Sequence, residues 1–204
     1  MMDILKKIIN KLLMKTAFSQ LPANDKTVYI TFDDGPEPGI TEFVLDELQK
    51  YGYTATFFCT GKNVEKYPEL IERIVKEGHA LGNHTYSHIN AFDIGAKDYV
   101  KDVERADEVI HTHLFRPPNG RLKLGAWLRL RKQYKIIYWT IGSGDWRKES
   151  FDYEDSMNLL KTTRAGNIIL FHFSNDLEES TRKLLPVYFE WMEKNSLISE
   201  TIKL

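Results

Sequence analysis

The chain of 204 residues carries 28 Lys and Arg residues against 29 Asp and Glu residues, and its formal net charge at pH 7 is −1. This balance provides no global field that would attract nucleic acid, so nucleic acid is excluded as an expected partner. The length suits one domain with a substantial core. The single cysteine, Cys59, leaves no disulfide within the chain and is expected to be a small buried side chain.

The start of the chain, from Met1 to Gln20, predicts a basic amphipathic helix. Its lysines interrupt every apolar run, so it makes a poor signal peptide and is too short in apolar residues to span a bilayer. We expect it to pack against the domain, with peripheral contact to a membrane surface as the alternative. The cellular location stays open, with the cytoplasm or the membrane periphery favoured over secretion.

From residue 27 onward, short β-rich runs alternate with helical patterns. The predicted strands cover residues 27–32, 55–59, 79–83, 114–116, 135–140, 168–171 and 197–203. The predicted helices cover residues 41–51, 68–78, 96–111, 123–132, 153–164 and 177–195. Such an alternation argues for an α/β fold with a parallel sheet, and periodicity alone does not say whether the sheet is open or closed into a barrel.

Candidate chemistry lies at the C-terminal ends of the predicted strands, where parallel α/β folds build their sites. The first of these ends carries Asp33-Asp34 before the turn residues Gly35 and Pro36. Two carboxylates there can divide their work, one holding a metal and the other handling a proton. Asp, Gly and Pro are also ordinary turn residues, so the segment alone does not establish a site.

Two histidines, His84 and His88, stand four positions apart after the third predicted strand. On one helical turn this spacing directs both imidazoles toward the same point, as a zinc site requires. Two surface histidines in a polar loop would show the same pattern. With a carboxylate from another strand end, the pair would suit metal-assisted hydrolysis or non-haem iron oxygenation.

Further strand ends carry His172, Arg116 and Asp145. The imidazole of His172 could act as a general acid, because its ordinary pKa lies near neutrality. Arg116, stiffened by the two prolines after it, could orient a carboxylate through paired hydrogen bonds, and Asp145 could in turn hold that arginine. The neighbouring Trp146 would add an apolar wall of the kind on which sugars stack.

Together these segments resemble the polysaccharide deacetylase family, the NodB-homology domain of carbohydrate esterase family 4. The resemblance covers about residues 25–200, and its motifs appear in order. They are Thr31-Phe32-Asp33-Asp34-Gly35-Pro36, His84-Thr85-Tyr86-Ser87-His88, Arg116-Pro117-Pro118-Asn119-Gly120, Asp145-Trp146 and Leu170-Phe171-His172.

The resemblance implies a distorted (β/α) barrel of seven strands that holds one divalent metal, usually zinc, with cobalt or nickel as alternatives. It implies Asp34, His84 and His88 as the metal ligands. It also implies that Asp33 is the general base acting on the attacking water and that His172 protonates the departing sugar amine.

Supporting roles follow from the same resemblance. Arg116 is implied to orient Asp33, with Asp145 supporting the arginine, and the backbone amide of Asn119 is implied to stabilise the oxyanion. The expected substrate contacts are Pro118, Asn119, Trp146 and Leu170. We therefore divide the chain into an N-terminal helical segment, residues 1–24, and a catalytic domain, residues 25–204.

The chain departs from the family pattern at three positions. Asn119 stands where an aromatic residue is common, and Phe173 stands where related sequences often carry an aspartate. The segment from Trp139 to Gly144 lacks the earlier aspartate that tunes the acid histidine. Without that carboxylate we expect the pKa of His172 to be lower than in typical members.

The leading hypothesis is a hydrolase that removes acetyl groups from an N-acetylated glycan, such as a peptidoglycan fragment or a chitin-like oligosaccharide. An O-acetyl esterase and a small-molecule amidase are alternatives on the same fold. A carbohydrate-binding protein without turnover and an iron oxygenase are alternatives from other classes. The oligomeric state is left open.

Overall fold

A computed structural model describes residues 18–24 and 26–204. Most of the helix predicted from Met1 to Gln20, residues 1–17, lies outside the described residues. Residues 18–20 are described and are not helical: Phe18 and Gln20 form single β-bridges to Ile137 and Asn167. Within the described ranges, no helix combines the length and the apolar character that crossing a bilayer requires.

The described chain contains eight strands, and every pairing between them is parallel. Seven form one path in the order β5-β4-β3-β2-β1-β7-β6, and β8 pairs with the start of β1. The predicted distorted (β/α) barrel of seven strands is confirmed. The strands are β1 (Thr27–Asp33), β2 (Thr56–Cys59), β3 (Ala80–Asn83), β4 (Leu114–Phe115), β5 (Lys135–Ile136), β6 (Ile141–Gly142), β7 (Ile168–His172) and β8 (Ile198–Ser199).

Helices connect the strands and cover the outside of the sheet. They are α1 (Ile40–Tyr51), α2 (Gly61–Lys66), α3 (Pro68–Lys76), α4 (Ala96–Ile110), α5 (Leu124–Leu130), α6 (Tyr153–Leu160) and α7 (Glu178–Lys194). Local sequence explains several boundaries. The Glu42 carboxylate accepts from the Gly39 backbone N–H at 2.6 Å and so caps the start of α1. Gly52 ends α1 in the left-handed conformation with φ 65°, which glycine adopts without steric cost.

Two predicted strands near the ends of the sheet are wrong in detail. The run 135–140 is one continuous apolar pattern, but only Lys135–Ile136 forms a strand on β4. Its next residues cross the gap between the two ends of the path, where Ile137 N–H donates to Phe115 and Thr140 N–H donates to Ile168. The missed strand β6 follows that crossing. The run 197–203 contributes only β8, which lies outside the seven-strand path.

The core lies between the sheet and the helices and is rich in phenylalanine. Phe32 stacks on Phe57 with ring centroids 5.1 Å apart, and Phe173 meets Phe57 edge-on at 5.1 Å. Cys59 is fully buried within this core, as predicted. Phe173, one of the three departures from the family pattern, therefore serves packing beneath the site.

Candidate active and metal-binding site

Strand register brings the predicted strand ends to one edge of the sheet. Asp33 at the end of β1 is aligned with His172 at the end of β7, and Asn83 at the end of β3 is aligned with Phe115, the residue before Arg116. The C-terminal ends of parallel strands lie at the same edge of a sheet, so the residues that follow them come together. Asp33, Asp34, His84, His88 and His172 line an open cleft of about 950 Å³ at this edge.

One cluster in this cleft has the donors of a metal site. Oδ1 of Asp34 lies 3.3 Å from Nε2 of His84 and 3.0 Å from Nε2 of His88. Nδ1 of His84 lies 2.8 Å from the carbonyl oxygen of Arg116. A carbonyl only accepts hydrogen bonds, so Nδ1 carries a proton, and Nε2 is the nitrogen available to bind a metal.

These donors fit a divalent cation. Oδ1 of Asp34 is buried and has no hydrogen-bond partner among the described residues, although two imidazole nitrogens approach it. Burial alone would raise the pKa of Asp34. The contacts with His84 and His88 have the larger combined effect, and the pKa lies well below its usual range. An ionised carboxylate and two imidazoles match a three-ligand zinc site with an open position for water and substrate. The predicted ligand set is brought together.

The loop that carries the two histidines is not the helical turn predicted from their spacing. Residues 84–88 form an irregular segment after β3, in which Thr85 has φ 66° and His88 has φ 56°. Left-handed backbone at these two positions turns the rings toward each other. The convergence was predicted correctly, and its helical cause was wrong.

Arg116 holds Asp33, as predicted. Its Nη1 donates to Oδ1 of Asp33 at 2.7 Å and to Oγ1 of Thr31 at 2.7 Å, and its Nη2 donates to the Tyr138 carbonyl at 3.0 Å. The guanidinium is fully buried over the ring of Phe58. Because Oδ1 of Asp33 is occupied by the arginine, Oδ2 remains to face the cleft, 3.8 Å from Nε2 of His84.

Two predictions about Asp145 and His172 are wrong. Asp145 does not support Arg116; it is the carboxylate partner of His172, and its Oδ1 lies 2.8 Å from Nδ1 of the imidazole. Its Oδ2 accepts from the His172 backbone N–H at 2.7 Å and from Oγ1 of Thr181 at 3.1 Å. Burial disfavours the imidazolium, but the charge and hydrogen bond of Asp145, together with the charges of Asp34 and Asp33, outweigh it and raise the pKa of His172 to about 9. The expectation that His172 lacks a carboxylate partner is therefore wrong.

Three of the four expected substrate contacts line the cleft: Asn119, Trp146 and Leu170. Pro118 is buried behind it and does not line it. Trp146 is 40% exposed, and its ring meets that of His172 edge-on at 5.7 Å. It fits there because Gly142 has no side chain, since a Cβ on Gly142 would lie 2.4 Å from the indole.

Sequence reasoning missed the residues that support Asp34. Asp34 has the left-handed φ of 87°, and its carbonyl accepts from Nδ2 of Asn63 at 3.1 Å and from Oγ1 of Thr60 at 3.3 Å. Both donors belong to the start of α2, a helix of six residues that is too short to show a periodic pattern. The only signal was the position of these polar residues directly after a strand end.

Comparison with known proteins identifies relatives of the whole domain. The sequence model of the family described as polysaccharide deacetylase matches residues 20–136. A Bacillus cereus protein named peptidoglycan-N-acetylglucosamine deacetylase is 34% identical over 158 residues, 74% of this chain, and the chain spans only 57% of that relative. A second Bacillus cereus protein of the same name is 33% identical over 181 residues, which cover 82% of this chain and 83% of that protein.

A solved structure shares the fold. The crystal structure of a peptidoglycan N-acetylglucosamine deacetylase superposes with a TM-score of 0.82 at 29% sequence identity. The match covers 91% of this chain and 90% of the solved one. The likeness therefore includes the sheet, its helices and the edge that carries the cleft.

Proposed function

The chain belongs to the polysaccharide deacetylase family, and from that premise we propose that it removes acetyl groups from an N-acetylated glycan of the peptidoglycan or chitin type. One observation carries the proposal. The Asp34-His84-His88 donor cluster lies in a single cleft with a buried carboxylate held by an arginine and an imidazole held by a second carboxylate. We propose residues 25–204 as the catalytic domain, and the described residues 18–24 pack against it, since Phe18 pairs with Ile137 and Leu21 is buried.

Asp33 and His172 are the proposed proton carriers. Asp34, His84 and His88 would hold a divalent cation, which would supply Lewis-acid chemistry to the acetyl carbonyl and lower the pKa of water. Asp33, oriented through its Oδ1 by Arg116, takes the proton of the attacking water on Oδ2. His172 gives its proton to the sugar nitrogen as the carbon–nitrogen bond breaks, and acetate and the free amine leave.

The backbone of Asn119 is the proposed oxyanion donor. This residue has φ 57° in a short 3₁₀ turn at the mouth of the cleft. Loss of the common aromatic side chain at this position leaves the backbone N–H in place, so the donor is retained. Trp139 and Trp146 provide the aromatic surface in the lining of the cleft.

Removal and restoration of the metal tests the proposal. Treatment with a chelator is expected to abolish acetate release from N-acetylated glycans, and zinc is expected to restore it, with cobalt and nickel as the alternatives for the native ion. Acetate is measured over a panel of N- and O-acetylated glycans. Release from O-acetyl substrates alone would establish an esterase, and sugar binding with no release under any metal would overturn the enzyme.

The structure weakens the binding-protein alternative. That alternative depended on a His172 without a carboxylate partner, and Asp145 supplies one at 2.8 Å. A protein retained only for sugar binding has no need of a buried carboxylate that keeps a cleft imidazole protonated. An iron oxygenase likewise has no use for the Arg116–Asp33 pair.

Replacing Asp145 by asparagine is expected to move the basic limb of the pH–rate profile to lower pH. Asp145 contributes most to raising the pKa of His172 to about 9, above its ordinary 6.5, with smaller contributions from Asp34 and Asp33. Acid catalysis requires the protonated ring, so wild-type activity persists up to the raised pKa, and the variant loses activity earlier as pH rises. The limb is measured as kcat/KM against pH, with metal content checked at each point. If the basic limb does not move, the limb does not report the titration of His172.

A further inference from the structure

The loop of residues 84–88 needs an anchor outside the ligand motifs. It contains two left-handed residues, Thr85 and His88, and left-handed backbone is unfavourable for residues with a Cβ. The His88 side chain is 41% exposed, whereas that of His84 is almost fully buried. Packing therefore fixes His84, and something else must hold His88 beside Asp34.

Asp102 on α4 contacts the loop directly before His88. Its Oδ2 accepts from the backbone N–H groups of Tyr86 at 2.9 Å and of Ser87 at 3.1 Å, and its Oδ1 accepts from Oγ of Ser87 at 2.9 Å. Its own carbonyl also accepts from Tyr86 N–H at 3.2 Å. The helical pattern of α4 predicts its charges to face outward, whereas Asp102 is partly buried against the loop.

The neighbouring contacts show why Asp102 matters for His88 in particular. Tyr86 has other support, because Arg105 lies over its ring at 3.4 Å and its hydroxyl donates to Glu65 at 2.7 Å. Thr85 is also held, since its carbonyl accepts from the Gly61 N–H. Among the described hydrogen bonds, those of Ser87 go to Asp102 alone, and Ser87 is the residue covalently joined to His88.

We propose that Asp102 is a positioning residue for the metal site. By accepting hydrogen bonds from the backbone N–H and the hydroxyl of Ser87, its carboxylate sets the left-handed turn that places Nε2 of His88 3.0 Å from Oδ1 of Asp34. Charge-assisted hydrogen bonds to a carboxylate are the strong kind, and groups that orient ligands in this way tune metal affinity. The inference rests on the proposed metal site and concerns ion affinity, which is separable from turnover.

Three variants test this role by metal binding. Asp102→Ala is expected to weaken cobalt and zinc binding by about 10–100-fold, measured by competition with a chromophoric chelator. Asp102→Asn is expected to stay within a few-fold of wild type. Its amide oxygen can accept both backbone N–H groups, and its NH₂ can donate to Oγ of Ser87. Glu108→Ala, which removes an exposed carboxylate from the same helix, is the matched control and is expected to change nothing.

Two further readouts separate positioning from folding. The visible absorption of the cobalt-loaded protein is expected to change in Asp102→Ala and to return in Asp102→Asn, which a merely structural role would not produce. If Asp102→Ala lowers Tm with unchanged metal affinity, the proposal is overturned. Should that variant fail to fold, Ser87→Ala removes one of the bonds, and unchanged cobalt affinity there would overturn it equally.

The wild-type measurements keep this inference distinct from the proposed function. Cobalt binding by the wild type without acetate release would defeat the deacetylase and leave the Asp102 role standing. Normal turnover with identical metal affinity in all variants would support the deacetylase and defeat the Asp102 role. A wild type that binds neither cobalt nor zinc would remove the metal site on which both depend.

Discussion

Asp33→Asn is expected to stop acetate release while the protein still binds its metal. Oδ1 of Asp33 is held by Arg116 at 2.7 Å, and the side chain is not in the Asp34-His84-His88 donor cluster. The amide is isosteric but cannot take a proton from water. Loss of a positioned base costs about 10²–10⁴-fold, so kcat should fall by at least that factor. Cobalt affinity, measured by chelator competition, should stay within a few-fold of wild type.

The adjacent carboxylate provides the matched control. Asp34→Asn replaces the residue whose buried Oδ1 lies within 3.3 Å of both histidine Nε2 atoms, so it should weaken metal binding strongly. Excess metal should then recover part of its activity, because Asp33 is intact. If Asp33→Asn lost the metal and Asp34→Asn kept it, the two roles would be reversed.

Arg116→Met is expected to destabilise the fold by about 3–5 kcal/mol, because breaking a buried ion pair leaves the partner charge uncompensated. The guanidinium is fully buried, and its removal leaves the Asp33 carboxylate and the Tyr138 carbonyl without this donor. Methionine retains most of the side-chain volume, so the cavity left behind is small. The free energy of unfolding is measured by urea denaturation at constant m-value.

A double variant identifies the source of that loss. Arg116→Met combined with Asp33→Asn removes both charges, so it should be more stable than Arg116→Met alone. A single-variant loss below about 1 kcal/mol would place Arg116 among the weak ion pairs typical of exposed surfaces. Activity should be lost in both variants, because neither presents an oriented base.

The identity of the site residues was predictable because each follows a strand with a clear β pattern. Five polar strand ends in one α/β chain point to one edge of a parallel sheet whatever the exact topology. The resemblance to the deacetylase family then implied Asp34, His84 and His88 as ligands and paired Asp33 with Arg116. Strand lengths were less predictable, since residues 136–139 are continuously apolar, yet β5 ends at Ile136 and β6 begins only at Ile141.

Partner choice within the site was decided only by tertiary structure. Asp145 pairs with His172 because β6 lies beside β7 and because Thr181 on α7 completes its hydrogen bonds, none of which periodicity reveals. The proposed role of Asp102 could not be predicted for a similar reason. Its position on the polar side of a helix predicts contact with solvent, and only the fold shows that the 84–88 loop packs there.

Sequence by itself determined the fold class, the edge of the sheet that carries the site and the residue types available there. These depend on local patterns of two to four residues and on the rule that parallel strands end together. Tertiary structure decided which carboxylate pairs with Arg116, which pairs with His172, and how the His84–His88 loop turns. Those choices depend on distances of about 3 Å between residues far apart in the chain, and on left-handed backbone at Asp34, Thr85 and His88 that only surrounding contacts stabilise.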